Sequence, residues 1–254
     1  MRRLIAAEFR KLFGTRLWLW LLLAAMELTA MFVWVTIVGN DSSANKVPPL
    51  STLAGQQTVF SIAAGTAGGM IAVLAALGIT NEFRYQTATA TFLATPRRGR
   101  VIAAKLITYA LVGVGYALVC AAEGAAIATP WLSAKGIHVT LTGGAMPGVL
   151  ATVIIAVVIY SLIGAGLAAV LRDQVTTVVV LLVYLFAIEP IVTRIPGLAS
   201  WAIYLPGPAA NAFTQTHQAA LGYLRPWPGG ILFAGYAAAA AAAGLLLTVR
   251  RDVT

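Results

Sequence analysis

Six stretches of the chain are apolar for about twenty residues each, the length an α-helix needs to cross a hydrocarbon layer of about 30 Å. They fall at about 17–38, 59–80, 106–129, 147–171, 175–193 and 229–249. Backbone N–H and C=O groups in lipid have no water to bond, so each run must close its hydrogen bonds internally. That requirement predicts helices, and with them an all-α integral membrane protein of six spans. No linker long enough to separate two units interrupts the pattern, so residues 1–254 read as a single transmembrane domain.

Composition agrees. Hydrophobic residues make up 60% of the chain and Asp, Glu, Lys and Arg only 10%, against about 25% charged in an ordinary soluble domain. The net charge is +9, which in a soluble fold could signal nucleic-acid binding. Here the basic residues sit in short stretches between apolar runs, as charge at a membrane surface does, and no nucleic-acid partner is expected. Cys120 is the single cysteine, and His138 and His217 have no second ligand at metal spacing. Neither a disulfide nor a metal site is expected. The run at 17–38 is longer than the roughly 7–15 residues of a signal-peptide core, and no small-x-small cleavage site follows it. It reads as a retained first span.

Lys and Arg also set the orientation. In a six-span layout Lys46, Lys135, Arg194 and Arg225 fall on one side, and the rest of the 17 basic residues fall on the side of both termini. Basic residues concentrate on the cytoplasmic side, so both termini are predicted to be cytoplasmic. Residues 1–16 form an approach to the first span. Leu4, Ile5, Phe9, Leu12 and Phe13 share one half of a helical wheel, with Arg3, Arg10 and Lys11 opposite. An amphipathic helix lying on the membrane surface follows. Glu8 interrupts its apolar face; it either pairs with an arginine of the segment after the second span or is solvated. Between the fifth and sixth runs, Pro196, Pro206, Pro208 and Pro226 alternate with apolar patches such as Trp201–Leu205. Short helices dipping into the outer leaflet are expected there, with an irregular surface loop as the alternative.

The segment 81–105, between the second and third runs, is far longer than a turn requires. It holds Phe83, Phe92 and Leu93, apolar groups that are costly to expose together, and ends in Pro96-Arg97-Arg98-Gly99-Arg100 followed by Lys105. Taken from its residues alone it is either a docking surface for a cytoplasmic partner or a basic interfacial helix on anionic lipid.

The pattern Glu82, Thr87, Leu93, Pro96, Arg100 and Lys105, with Arg84, Arg97 and Arg98 around it, resembles the coupling region of ABC-2 type permeases, the membrane subunits of ATP-driven exporters. The stretch Glu8-Phe9-Arg10-Lys11 to Thr15-Arg16 and the six-span layout are similar to that family too. At Gln86 the chain departs from the glycine the family often has before its threonine. The resemblance implies a permease that works as a pair, with a second copy or a paralogue, in the inner (plasma) membrane of a bacterium. It also implies cytoplasmic ATPase subunits that bind ATP and Mg and push on the 81–105 loop. No lysine here follows a Gly-x-x-x-x-Gly pattern, so the chain has no phosphate-cradling loop and would hold no nucleotide itself. An apolar path with few charges suits drugs, lipids, peptides or antibiotics alike.

Three glutamates fall inside predicted spans. A charge in the hydrocarbon region costs at least about 2.5–3.5 kcal/mol, so each invites a functional reading. Glu27 lies ten residues into its run, about 15 Å deep at 1.5 Å per residue. Glu27 and Glu189 are candidates for lining a substrate pathway, Glu123 less so; protonated or hydrogen-bonded packing is the alternative for all three. A proton-coupled secondary transporter using Glu27, and a non-transporting membrane anchor or sensor, are the competing functions. The chain carries no Gly-x-Ser-x-Gly and no His-Glu-x-x-His, and covalent catalysis is not expected of it. Gly65 and Gly69, and Gly164 and Gly166, are small-residue pairs that allow close helix approach, chiefly within one subunit.

Overall fold

The computed structural model describes residues 1–40, 48–85, 98–139, 144–215 and 224–250. Among these residues all of the regular secondary structure is helical, with no strand, and six helices are long and apolar enough to cross a membrane. The multi-pass architecture is therefore as the apolar runs predict.

Helix α1 (Arg2–Phe13) leads through a short turn into α2 (Leu17–Gly39). After the first long connection, α3 (Leu53–Phe60) and α4 (Ile62–Arg84) follow with a break at Ser61. Then come α5 (Arg98–Ala134), α6 (Met146–Leu171) and α7 (Gln174–Val192). Two short helices, α8 (Ala199–Ala202) and α9 (Pro206–Phe213), precede the last helix, α10 (Pro226–Arg250).

Helix α4 is the axis of the bundle. Its Ala63, Ala64, Ala67, Ala72, Ala75 and Ala76 are all buried, because α2, α5, α6 and α7 pack around it. In lipid there is no hydrophobic drive between helices, so close packing of small residues has to hold them. At Gly68 a side chain would run into the Tyr160 ring, at Gly78 into Tyr109, and at Gly164 of α6 into the backbone of Ala72. Gly166 meets Ala240 of α10 in the same way. Gly65, by contrast, faces open space and Gly69 has only Leu185 at 3.7 Å. The close-approach glycines of α4 are thus Gly68 and Gly78, not the pair that the Gly-x-x-x-Gly spacing suggests.

Helix ends extend past the apolar runs. Asn81–Arg84 continues α4, and Arg98 to Lys105 is already the start of α5. The third run was expected to stop at Thr129, before Pro130, yet α5 passes through that proline to Ala134. A proline removes one backbone bond, which a membrane helix tolerates where neighbouring groups compensate. In α7 the residues Tyr184–Ile188 widen into a π-helical turn directly before Glu189 and Pro190, the kind of insertion that recurs at functional positions. Between α6 and α7 the turn is minimal: Arg172 takes a left-handed φ of 58° and Asp173 caps α7 by accepting from Thr176 N at 2.6 Å. The expected short helices after α7 are present as Pro196–Leu198, α8 and α9.

Candidate functional site

The site forms at the end of the bundle where α1 lies, around both flanks of the 81–105 segment. Glu8 on α1 is 8% exposed and Lys105 on α5 is 5% exposed. Lys105 Nζ donates to Glu8 Oε2 at 2.7 Å and to Glu82 Oε1 at 2.6 Å. Lys11, one turn after Glu8, donates to Glu8 Oε1 at 3.0 Å and to Glu82 Oε1 at 2.9 Å. Two carboxylates and two ammonium groups from three helices thus form a neutral cluster. A buried ion costs on the order of several kcal/mol to desolvate, and only good pairing offsets that cost. Each charge here has two partners of the opposite sign.

Local sequence explains the placement. Glu8 and Lys11 are three residues apart, so they share a face of α1. The same face buries Leu12 and turns toward α5. Burial pulls the Lys11 ammonium down, but hydrogen bonds and charge from Glu82, then Glu8, outweigh it and hold the group above its ordinary 10.5. One turn past Lys105, the buried Tyr109 occupies the space that Gly78 leaves open on α4.

The last turn of α4 joins two structures. Glu82 reaches α1 and α5, while Phe83 lies under the Arg172 guanidinium, 5.4 Å from ring centroid to charge. Arg84 Nη1 donates to Gln174 Oε1 at 2.9 Å, at the start of α7. Successive residues therefore tie the end of α4 to α1 and α5 on one side and to the α6–α7 turn on the other.

Of the residues singled out from sequence, Glu8, Lys11, Glu82 and Lys105 come together in the cluster. Glu8 is buried rather than solvated, and among the described residues its partners are lysines and not arginines, because Lys105 emerges two turns into α5 on the side facing α1. Lys105 was expected in a docking surface and is instead buried. Arg84 and Arg100 are exposed, and among the described residues Arg10 bonds to Ala6 O in its own helix, at 3.4 Å. Arg98 opens α5. Thr87, Leu93, Pro96 and Arg97 lie outside the described residues. Gln174 and Arg172 were not singled out; the short polar interval between two apolar runs was their only signal.

The intramembrane glutamates separate into different environments. Glu27 is exposed on the outer face of α2. Glu123 on α5 is half-buried and within electrostatic reach of Glu27. Glu189 is buried at the far end of α7 and accepts from Gly207 N at 2.6 Å. Comparison of the sequence with protein-family models finds no match, and neither does comparison with curated proteins.

Proposed function

We propose that the chain is the membrane subunit of an ATP-driven exporter of the ABC-2 permease kind, paired in a bacterial inner membrane and moved by separate ATPase subunits through the 81–105 segment. One observation carries the reading: the residues on either side of that segment, Glu82 and Lys105, are bonded directly to each other and to Glu8 and Lys11 of α1. A force applied between them is delivered to α1, α4 and α5 as one block instead of being lost in a slack loop. The Arg84–Gln174 bond extends the same block to α7. ATP and Mg belong to the partner, whose P-loop supplies the phosphate chemistry this sequence lacks.

The orientation that the basic residues predict puts this block in the cytoplasm, where such a partner would meet it. The proton-coupled alternative depends on Glu27, which is on the exposed outer face of α2. Purification from mild detergent tests the reading. A Walker-A ATPase is expected to accompany the chain, with its ATP hydrolysis reduced when Arg97 and Arg98 are both changed to Glu. Recovery of the chain without any nucleotide-binding partner would overturn it.

A further inference from the structure

At the end of the bundle opposite the charge cluster, α9 is folded back against α10, α4 and α6. Its Gly207, Pro208, Ala209, Ala210 and Ala212 are buried. Gly229 and Gly230 of α10 leave room for Ala212 and the Phe213 ring. The entry to α9 is held by Tyr236 Oη, which donates to Tyr204 O at 2.8 Å.

The first turn of α9 has an unusual donor inventory. A helix start normally leaves four backbone N–H groups without intrahelical partners. Here Pro206 and Pro208 have no N–H at all, and Ala209 N donates to Leu205 O at 2.9 Å. The remaining donor of that turn, Gly207 N, points at the Glu189 carboxylate 2.6 Å away. Tyr184, in the π-helical turn before Glu189, stands beside that carboxylate. Gly207 must lack a side chain, since a Cβ there would sit 2.5 Å from Glu189 Oε2.

We propose that Glu189 and the Pro206-Gly207-Pro208 turn form a latch that holds α9 closed over this end of the bundle, and that releasing it lets α9 lift as a gate. Within the first turn of α9 the latch is a single point, because the two prolines leave one donor to hold; the Tyr236–Tyr204 bond ties the chain just before it. The rest of the α9 contact is made by small side chains and the Phe213 ring. The latch stands by itself; its use as a gate rests on the permease reading above.

Hydrogen exchange read by mass spectrometry on the full-length chain tests both parts. In Glu189→Leu the amides of residues 206–213 are expected to exchange at least tenfold faster than in the wild type, with those of α6 unchanged. Glu189→Gln, whose amide oxygen still accepts from Gly207 N, is expected to stay within threefold of the wild type. If Glu189→Leu does not fold, Gly207→Ala is the second route, since its Cβ displaces the carboxylate and is expected to produce the same local change. Unchanged exchange in α9, or an equal rise in α6, would overturn the latch. For the gate, MgATP is added to the wild-type chain purified with its ATPase. Faster exchange in α9 during turnover supports it, and identical exchange with and without MgATP removes the gate while leaving the permease reading in place. If no ATPase accompanies the chain, that reading fails and the latch result stands unaffected.

Discussion

Lys105 Nζ lies 2.7 Å from Glu8 Oε2, joining residues 97 positions apart through a bond between two buried side chains. The α1 helix is thereby docked by charge as well as by Leu12. Removing Lys105 leaves two largely buried carboxylates sharing Lys11 alone, with one negative charge in excess, and breaking a buried pair in this way costs about 3–5 kcal/mol. Lys105→Ala is accordingly expected to lose stability in that range. Lys11 binds the same two carboxylates, but its side chain is 51% exposed, and Lys11→Ala is expected to cost less than about 1 kcal/mol. Denaturation in detergent compares the two; equal losses would contradict the ranking.

Two pH dependences follow from the groups outside the spans. Lys11 is held above its ordinary 10.5 in the folded chain, so its contribution is fully present below 10.5 and is lost as pH rises through the folded value. The stability gap between wild type and Lys11→Met should therefore persist to pH 10 and close only in stronger alkali. Asp173 shifts the other way. The Thr176 N–H holds its carboxyl below the usual 3.8, so its stabilisation is present above 3.8 and lost as pH falls through the lower folded value. The gap between wild type and Asp173→Ala should be constant near neutrality and vanish in that acid window, as thermal unfolding against pH would read.

The glycines give a contrast within one helix type. Gly164→Ala sets a methyl group against the Ala72 backbone, and forced overpacking of this kind costs about 1–3 kcal/mol. Gly65→Ala meets open space and should be neutral or stabilising by up to about 1 kcal/mol, since alanine is the better helix former. Thermal shifts of the two variants in one detergent decide it. A destabilised Gly65→Ala would mean that another chain or lipid packs closely there.

These cases also mark what can be read from the sequence. The six spans were legible because length and apolarity are properties of each run by itself. Helix ends were not: Asn81–Arg84 and the start of α5 are polar, and they are tied down by tertiary contacts of Glu82, Phe83, Arg84 and Lys105. Lys105 was grouped with the arginines before it because sequence shows charge and not facing; its burial depends on where α1 returns. Glu8 stood out as a break in an apolar face, yet its partner could not be named without the α1–α5 approach. Glu189 was recognisable as an ionisable group in a span, but its bond to Gly207 needs α9 to fold back across eighteen residues. The Pro-Gly-Pro turn carried that information only once α9 was known to be a helix.

Arg84 and Gln174 test whether the end of α4 drives α7. Their bond is 2.9 Å long and exposed, so Arg84→Ala should change stability by no more than about 0.5 kcal/mol. If the bond transmits motion, the same change should lower ATP hydrolysis by the co-purified partner severalfold, because α7 no longer follows α4. Gln174→Ala should reproduce that loss, since each substitution removes the same contact. The double variant should then be no worse than either single one, as is expected when two residues act through one interaction. Losses that instead multiply in the double variant would show that Arg84 and Gln174 act separately, and that α7 receives its motion by another route.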